Sequence, residues 1–331
     1  MTRQTRGRDD ASSSPAAGPF RGMLDRSVER GLDVHLTRGA GILERCVDFG
    51  TRLLVRCTEI PVAKVDATLF VERQVIEFAD AASVLLRRKC VDPCKPLVRG
   101  QIEAVMALAY IAQRDSARRS IQYAVAHYHA RIDEHERQDE STLKGKAFRA
   151  DLEKDEVFRG MRFEPYASAD AIADLRGVLA RPELAEVEAE WQRSHAERKA
   201  RRKAGGGSAK LYWYSLFDGP RTVQNLARSL AKGGWYEGVY RAYSGDTHAD
   251  AAMQHIHTAT DGSLILKPLR HPVDLVTIVN LATVLCLESF RHMESIHGLD
   301  PAAPDSWARW YLNHLQQDFQ QIGRLEIKLP G

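Results

Sequence analysis

Apolar residues recur at helical spacing along most of this chain. Between residues 22 and 58 they include Ile42, Leu43 and Val47, and Pro61 closes the segment. The pattern resumes over residues 62–91, where Asp92 and Pro93 interrupt it. Apolar positions three and four residues apart line one face of an α-helix, whereas strict alternation indicates a strand. The periodicity therefore predicts two long helices in this part of the chain.

Two more helices are predicted before residue 140. The segment PLVRGQIEAVMALAYIAQR starts with Pro96, which suits a first helical turn, and its broad apolar face is typical of a central helix. Asp115 or Ser116 can cap the following helix, whose apolar stripe includes Val125 and Ile132. Both patterns favour an all-α chain.

Residues 141–209 are more polar and predict a peripheral helical insertion. Only the stretches 172–179 and 184–191 are clearly amphipathic, and a flexible Gly-Gly-Gly-Ser linker ends the segment. A basic run precedes the linker. It is interpreted as a solvated helix end, or alternatively as a phosphate-binding patch. The run consists of Arg198, Lys199, Arg201, Arg202 and Lys203.

After the linker the chain is again predicted to be helical. A helix is expected over residues 221–232, ended by Gly233 and Gly234, and a second over 235–243, which Ser244 to Asp246 would distort or end. SLILKPL predicts an extended strand or a loop. A buried helix over residues 273–292 and a final helix that begins near Asp305 complete the pattern.

The predicted fold is an all-α multi-helix bundle with four parts. Residues 1–21 are expected to be a disordered leader, and residues 22–140 the N-terminal helices of the core. Residues 141–209 are the polar and basic insertion with its linker. Residues 210–331 are the C-terminal helices, which carry a cluster formed by Arg241, Ser244 and His248.

The charge and the cysteine content limit the cellular compartments and the binding partners that the protein can have. The chain has 47 basic and 44 acidic residues, so attraction to nucleic acid must be local rather than global. Five scattered cysteines do not form a disulfide framework, which favours a reducing compartment. The apolar stretch over residues 273–287 is shorter than the roughly 20 residues that span a bilayer. We therefore expect a cytoplasmic protein without a membrane partner.

Two sequence blocks resemble a bacterial helical family, the domain of unknown function numbered five-six-seven-seven. They are SVLLRRKCVDPCKPLVRGQIEAVMALAYIAQ and YWYSLFDGPRTVQNLARSLAKGGWYEGVYRAYSGDTHADAAM. The likeness extends over roughly residues 70–290, apart from the insertion. It implies a helical architecture and brings no known activity. The matching residues are Arg99, Glu103, Tyr240, Ser244 and His248.

Arg241 and His248, with six residues between them, are also similar to the Arg-x(4–6)-His signature of HEPN domains. That resemblance implies a metal-independent ribonuclease of a stress or phage-defence system, such as a toxin. A neutral histidine can take a proton from a ribose hydroxyl, while an arginine stabilises charge on the phosphate. Residues seven apart in a helix share a face, about 10.5 Å apart along the axis.

The hypothesis assigns a role to each residue of the cluster. His248 would be the acid or base, Arg241 and Arg99 would bind phosphate, and Ser244 and Glu103 would orient the other groups. Tyr240 belongs to the same family pattern. Asp246 sets a negative charge where a phosphate would approach, and thus departs from the usual signature. RNA is the expected substrate, and a second copy of the chain could complete the pocket.

Several other interpretations remain open. The polar cluster can be a buried network that fixes helix packing in a non-enzymatic sensor or interaction module, with a protein partner or antitoxin. A metal site at His248, His255 and His257 lacks an organising HExxH motif. A serine hydrolase at Ser244 lacks a GxSxG turn. We therefore expect no metal and no cofactor.

Overall fold

The computed structural model describes residues 33–63, 66–162, 164, 166–205, 210–247, 252–258, 262, 264–266, 269–270 and 272–322. These residues form an all-α multi-helix bundle, as predicted, together with one short β-hairpin. The predicted leader, residues 1–21, lies outside the described part of the chain.

The four helices predicted before residue 140 are confirmed as α1 Asp33–Thr58, α2 Ala67–Arg87, α3 Cys94–Gln113 and α4 Ser116–Gln138. Asp66 caps α2, since its carboxylate accepts a hydrogen bond from the Thr68 amide at 3.0 Å. Asp115 precedes α4 in a left-handed conformation with φ 48° and makes no side-chain cap. Its carboxylate pairs instead with Arg118 at 2.8 Å.

The insertion contains three helices and its own apolar cluster. The helices are α5 Leu143–Leu152, α6 Ala169–Leu179 and α7 Ala185–Lys203, and a 3₁₀ turn at Pro182–Leu184 leads into α7. Leu184 and Val187 are buried against Val125 and Ile132 of α4, and Leu216 completes the cluster. The insertion is thus packed on α4 rather than on the centre of the bundle.

The remaining elements follow the linker. They are a 3₁₀ turn at Trp213–Ser215, α8 Val223–Ser229, α9 Gly233–Trp235, a π-helical turn at Tyr236–Tyr240, α10 Arg241–Thr247, a 3₁₀ turn at Ala252–His255, β1 Ile256–Thr258, β2 Leu264–Leu266, α11 Leu275–His297, α12 Trp307–His314 and α13 Gln316–Ile322. The strands pair antiparallel, and SLILKPL supplies β2.

Two predictions about this region are wrong. Gly233 and Gly234 do not end the preceding helix: α8 ends at Ser229, and Ala231 takes the left-handed conformation with φ 55°. The Lys232 amide then bonds the Ala227 carbonyl at 2.8 Å, which closes the helix end. Nor do the residues from Ser244 to Asp246 break the next helix, because α10 continues to Thr247.

The centre of the bundle consists of α1, α2, α3 and α11, which pack on one another. Gly50 permits a close approach, since a Cβ there would lie 2.9 Å from both Phe290 and Ile76. Among the described helices, α11 is long and apolar enough to cross a membrane. Its position against α1, α2 and α3, with Phe290 and Met293 fully buried, identifies it as a core helix.

Candidate functional site

Three of the predicted site residues meet where α3 contacts the π-helical turn. Arg99 donates a hydrogen bond to the Tyr240 hydroxyl at 3.0 Å, and that hydroxyl donates to the Glu103 carboxylate at 3.0 Å. Arg99 and Glu103 also form an ion pair at 3.3 Å, one turn apart on α3. The guanidinium carbon lies 4.8 Å from the centre of the Tyr240 ring. We call these three residues the Tyr240 cluster.

Burial and charge act together on the Tyr240 hydroxyl. Its pKa is raised, chiefly because burial disfavours the phenolate, and the negative charge of Glu103 adds to the rise. The hydrogen bond from Arg99 acts in the opposite direction. Tyr240 therefore stays a neutral phenol that donates its proton in a hydrogen bond to Glu103. It is not a source of a phenolate nucleophile.

The π-helical turn determines where the Tyr240 ring points. The Arg241 amide bonds the Tyr236 carbonyl, five residues back instead of four, so this turn holds one residue more than an α-helical turn. α9, the π turn and α10 follow one another without interruption. Tyr236 stacks on Tyr240 at 5.3 Å between ring centres. The resulting helix carries Tyr240 toward α3 and the neighbouring Arg241 toward solvent.

Arg241 lies on the surface of this helix. Its side chain is 65% exposed and pairs with Glu237 at 2.8 Å. Glu237 also accepts a hydrogen bond from Gln224 of α8 at 2.8 Å. The pKa of Glu237 is lowered, first by the hydrogen bond from Arg241 and then by that from Gln224. The guanidinium is therefore accessible, although one carboxylate already holds it.

The other residues of the predicted catalytic set are only partly described. Ser244 is half-buried, and its hydroxyl donates to the Tyr240 carbonyl at 2.7 Å, one helical turn back. Asp246 belongs to α10, but its side chain lies outside the described part of the structure, as does the whole of His248. The structure thus brings Arg99, Glu103 and Tyr240 together, and Ser244 and Arg241 follow Tyr240 on the same continuous helix.

The predicted basic patch forms the C-terminal end of α7. Lys199, Arg201, Arg202 and Lys203 are exposed, whereas Arg198 is half-buried and lines a cleft. Basic residues in the last helical turn also suit the negative end of the helix dipole. The patch is separate from the Tyr240 cluster along the chain, and the cleft lies between them.

This cleft has a volume of about 920 Å³. Helices α3 and α4 contribute Glu103, Tyr123 and His127 to it, α7 contributes Trp191 and His195, and the segment after the linker contributes further aromatic residues. Glu103 therefore belongs both to the Tyr240 cluster and to the cleft. The residues from the segment after the linker are Lys210, Leu211, Tyr212, Trp213, Tyr214, Val223 and Leu226.

The acidic residues of the cleft each have a cationic partner on their own helix or on a neighbouring one. Lys144 of α5 binds Asp133 at 2.5 Å and Glu136 at 2.7 Å, and Arg99 pairs with Glu103. His195 stands among positive charges: its pKa is lowered first by burial and then by Arg198 and Lys199. The α7 side of the cleft is therefore positively charged.

A metal site is not observed among the described residues, which contain no group of three His, Cys, Asp or Glu side chains able to hold an ion. His129 is engaged otherwise, since it contacts Glu188 at 2.8 Å and stacks on Trp191. His248 and the side chain of His257, on which the metal interpretation depends, lie outside the described part. All five cysteines are free thiols.

Sequence reasoning missed Glu237 and the cleft. The four-residue spacing between Glu237 and Arg241 is a visible signal of a helical ion pair. The run Tyr212-Trp213-Tyr214 is another, because aromatic residues next to a basic run commonly form a binding surface. That Trp191 and Tyr212 line one cleft depends on tertiary packing and has no local signal in the sequence.

Comparison with known proteins places the chain in a family. A search of curated proteins and a search of solved structures found no match. A family model described as "Family of unknown function (DUF5677)" matches residues 68–264, which extend from the first turn of α2 to the start of β2 and include the Tyr240 cluster and the cleft. With more than half of its length matched, the chain belongs to the DUF5677 family of unknown function.

Proposed function

We propose that this protein is a metal-independent ribonuclease, and that it acts in the cytoplasm in a stress or phage-defence system, for example as a toxin. His248 is the acid or base, and Arg241 binds the scissile phosphate. Ser244, Arg99 and Glu103 position α10, which carries Arg241 and extends to the residue before His248. The HEPN-like spacing of Arg241 and His248 motivates this assignment.

The observation that carries the proposal is the continuity of α10. The helix runs from Arg241 to Thr247, the residue immediately before His248, with no break at Gly245. An intact helix keeps positions seven apart on one face. The Tyr240 cluster holds the start of this helix on α3, and the Arg241 guanidinium stays exposed. A phosphate can therefore reach it by displacing the Glu237 carboxylate.

The chemistry needs no oxidant and no cofactor. His248 accepts the proton of a ribose 2′-hydroxyl, and the 2′-oxygen attacks the adjacent phosphorus. The bond from phosphorus to the 5′-oxygen breaks, which leaves a 2′,3′-cyclic phosphate and a new 5′-hydroxyl. The proton for that hydroxyl comes from water or from the imidazole of a second copy of the chain. Arg241 stabilises the charge that develops on the phosphate oxygens.

The proposal is tested by incubating labelled single-stranded RNA with the protein in the presence of EDTA. We expect cleavage by the wild type and a loss of about 100-fold or more in Arg241→Ala and His248→Ala, the usual contribution of a general acid or base. Arg73→Ala is the matched control, because Arg73 also forms an exposed ion pair with a glutamate four residues away. Circular dichroism should show the same helix content in all variants.

Three results of this experiment would overturn the ribonuclease. They are the absence of cleavage by the wild type, cleavage that EDTA abolishes, and equal rates in the Arg241 and Arg73 variants. The products provide a further check, since cleavage by a 2′-hydroxyl leaves a cyclic phosphate that mass spectrometry identifies.

A non-enzymatic sensor or interaction module is the second candidate function. It is favoured by the contacts that the charged groups already make with one another: Glu237 pairs with Arg241, and Tyr240 joins Arg99 to Glu103. Such a cluster stabilises helix packing without a ligand. In this case the purified protein would not turn over RNA, and it would bind a protein partner, such as an antitoxin or a second copy, through the basic end of α7.

A further inference from the structure

The cleft beside the Tyr240 cluster has the aromatic surfaces that a planar ligand needs. Tyr212 stacks on Tyr214, with 4.9 Å between ring centres and 9° between ring planes. Trp191 stacks on His129 at 5.1 Å and 7°. All four rings line the cleft, and each stacked pair restricts the orientation of its two members, which reduces the entropy lost when a base stacks beside them.

Further aromatic residues line the same cleft. Trp213 meets the edge of Tyr123 at 5.2 Å and of Tyr110 at 5.6 Å. Trp213 and Tyr123 both line the cleft and are half-buried. At about 920 Å³ the cleft is at the upper end of the usual range for small-molecule sites. It has room for a nucleotide.

Positive charge lies next to these rings. The Lys210 ammonium is 5.2 Å from the centre of the Tyr212 ring, and the side chain is exposed. Arg198 and His195 line the same side of the cleft, and the pKa of His195 is lowered by burial and then by the charges of Arg198 and Lys199. Positive charges that oppose protonation of His195 also attract an anion to the same place.

We propose that this cleft binds a nucleotide, whose base stacks on Trp191 or Tyr212 and whose phosphate lies between Lys210 and Arg198. The nucleotide is either free or one unit of a single-stranded RNA, since both present the same base and phosphate. This site goes beyond the proposed ribonuclease, because binding here needs neither Arg241 nor His248.

Binding is measured with two ligands on the full chain. The first ligand is AMP, and its binding is measured by isothermal titration calorimetry and by the fluorescence of the cleft tryptophans. The second ligand is a fluorescein-labelled ten-nucleotide RNA, and its binding is measured by fluorescence anisotropy. The RNA arm uses Arg241→Ala, so that the strand stays intact even if the wild type cleaves it. Adenosine, which has no phosphate, should bind more weakly than AMP if the cations contribute.

Lys210→Gln is the deciding variant, since Lys210 is exposed and its loss should leave the fold intact. We expect affinity for the bound ligand to fall about fivefold to tenfold, as for the loss of one phosphate contact. Lys203→Gln is the matched control, a lysine of the same basic region that does not line the cleft. It should change AMP affinity by less than about twofold.

Each outcome decides between the alternatives. Binding of both ligands, or of one of them, with loss in Lys210→Gln supports the proposal and identifies whether a free nucleotide or an RNA strand is the source. Failure of both ligands to bind overturns it, and so does equal weakening by Lys210→Gln and Lys203→Gln. If the protein binds AMP but does not cleave RNA, the ribonuclease proposal is wrong and the nucleotide site in the cleft is still supported.

Discussion

The hydroxyl of Tyr240 donates a hydrogen bond to Glu103 at 3.0 Å, although the two residues are 137 positions apart in the chain. This bond connects the π-helical turn to the central helix α3. Arg99 donates to the same hydroxyl, so a single oxygen bridges both partners of the α3 ion pair. The helix that carries Arg241 is thereby attached to the middle of the bundle.

Removal of this hydroxyl should loosen the attachment. We expect Tyr240→Phe to lower the free energy of unfolding by about 1 kcal/mol, because two partly exposed hydrogen bonds to charged groups are lost while the ring remains. Urea denaturation measures the change. Tyr236→Phe, in the same turn, serves as the control and should have a smaller effect. An equal loss in both variants would show that the hydroxyl of Tyr240 has no special role.

Glu72 is expected to make stability depend on pH. This carboxyl is fully buried on α2, and burial raises its pKa from 4.5 to about 8, although a hydrogen bond from Ser289 opposes the rise. The folded protein therefore binds a proton that the unfolded chain releases between these values. Stability should fall as the pH rises from 4.5 to about 8, because ionisation of this carboxyl stabilises the unfolded chain while the folded protein keeps the carboxyl protonated.

Glu72→Gln should remove this dependence, since the amide resembles the protonated carboxyl in shape. His292 acts in the opposite direction, because burial lowers its pKa to about 4 and its contribution to stability is lost as the pH falls below 6.5. Both proteins contain His292, so its contribution cancels when the free energy of unfolding of Glu72→Gln is subtracted from that of the wild type at each pH. Urea denaturation between pH 5 and 8 measures it. Glu77→Gln, an exposed carboxyl on the same helix, should leave the slope unchanged.

Gly219→Ala should disturb the wall of the cleft. A Cβ at this position would lie 1.9 Å from the Tyr214 carbonyl oxygen and 2.8 Å from the Tyr110 hydroxyl. The backbone must therefore move, at a cost of about 1–3 kcal/mol. Gly234→Ala is the control, since no atom lies within 4 Å of the Cβ it would add. Thermal melting followed by tryptophan fluorescence should show a lower midpoint for the first variant and little change for the second.

Asp139 is expected to hold the start of the insertion in place. One carboxylate oxygen accepts hydrogen bonds from the Ser141 amide and hydroxyl at 2.9 and 2.6 Å, and the other from the Ser168 amide and hydroxyl at 2.8 and 2.7 Å. These bonds lower its pKa well below 3.8. Asp139→Asn replaces one acceptor with a donor. The Ser141 or Ser168 amide should then exchange hydrogen faster, whichever one faces the new donor, whereas unchanged exchange at both would contradict this role.

Much of the fold could be predicted from the periodicity of apolar residues. Helices α1 to α4 and α11 are long and amphipathic or apolar, so their patterns persist for several turns. The helix ends were less predictable. Gly233 and Gly234 resemble a terminator, yet Ala231 takes the left-handed conformation and the glycines start α9. Tertiary packing outweighs the small energy difference between glycine and alanine at such a position.

Less of the candidate site could be predicted. The spacing of Arg99 and Glu103 indicated a pair on one helical face, and the structure has that pair at 3.3 Å. Its third member, Tyr240, was expected only through the family resemblance. A hydrogen bond over 137 positions depends on how α3 packs against the π turn, and no local pattern carries that information. The roles of Arg241 and His248 stay a prediction until RNA cleavage is measured.

The π-helical turn gives this helix a place where one residue can be lost. The turn holds one residue more than an α-helical turn, so deletion of Gly238 would restore ordinary geometry and leave the residues after it close to their present faces. Glu237 and Arg241 would then be three residues apart, a spacing that still places both on one side of the helix. The segment should therefore accept a single-residue deletion here more readily than an uninterrupted α-helix would.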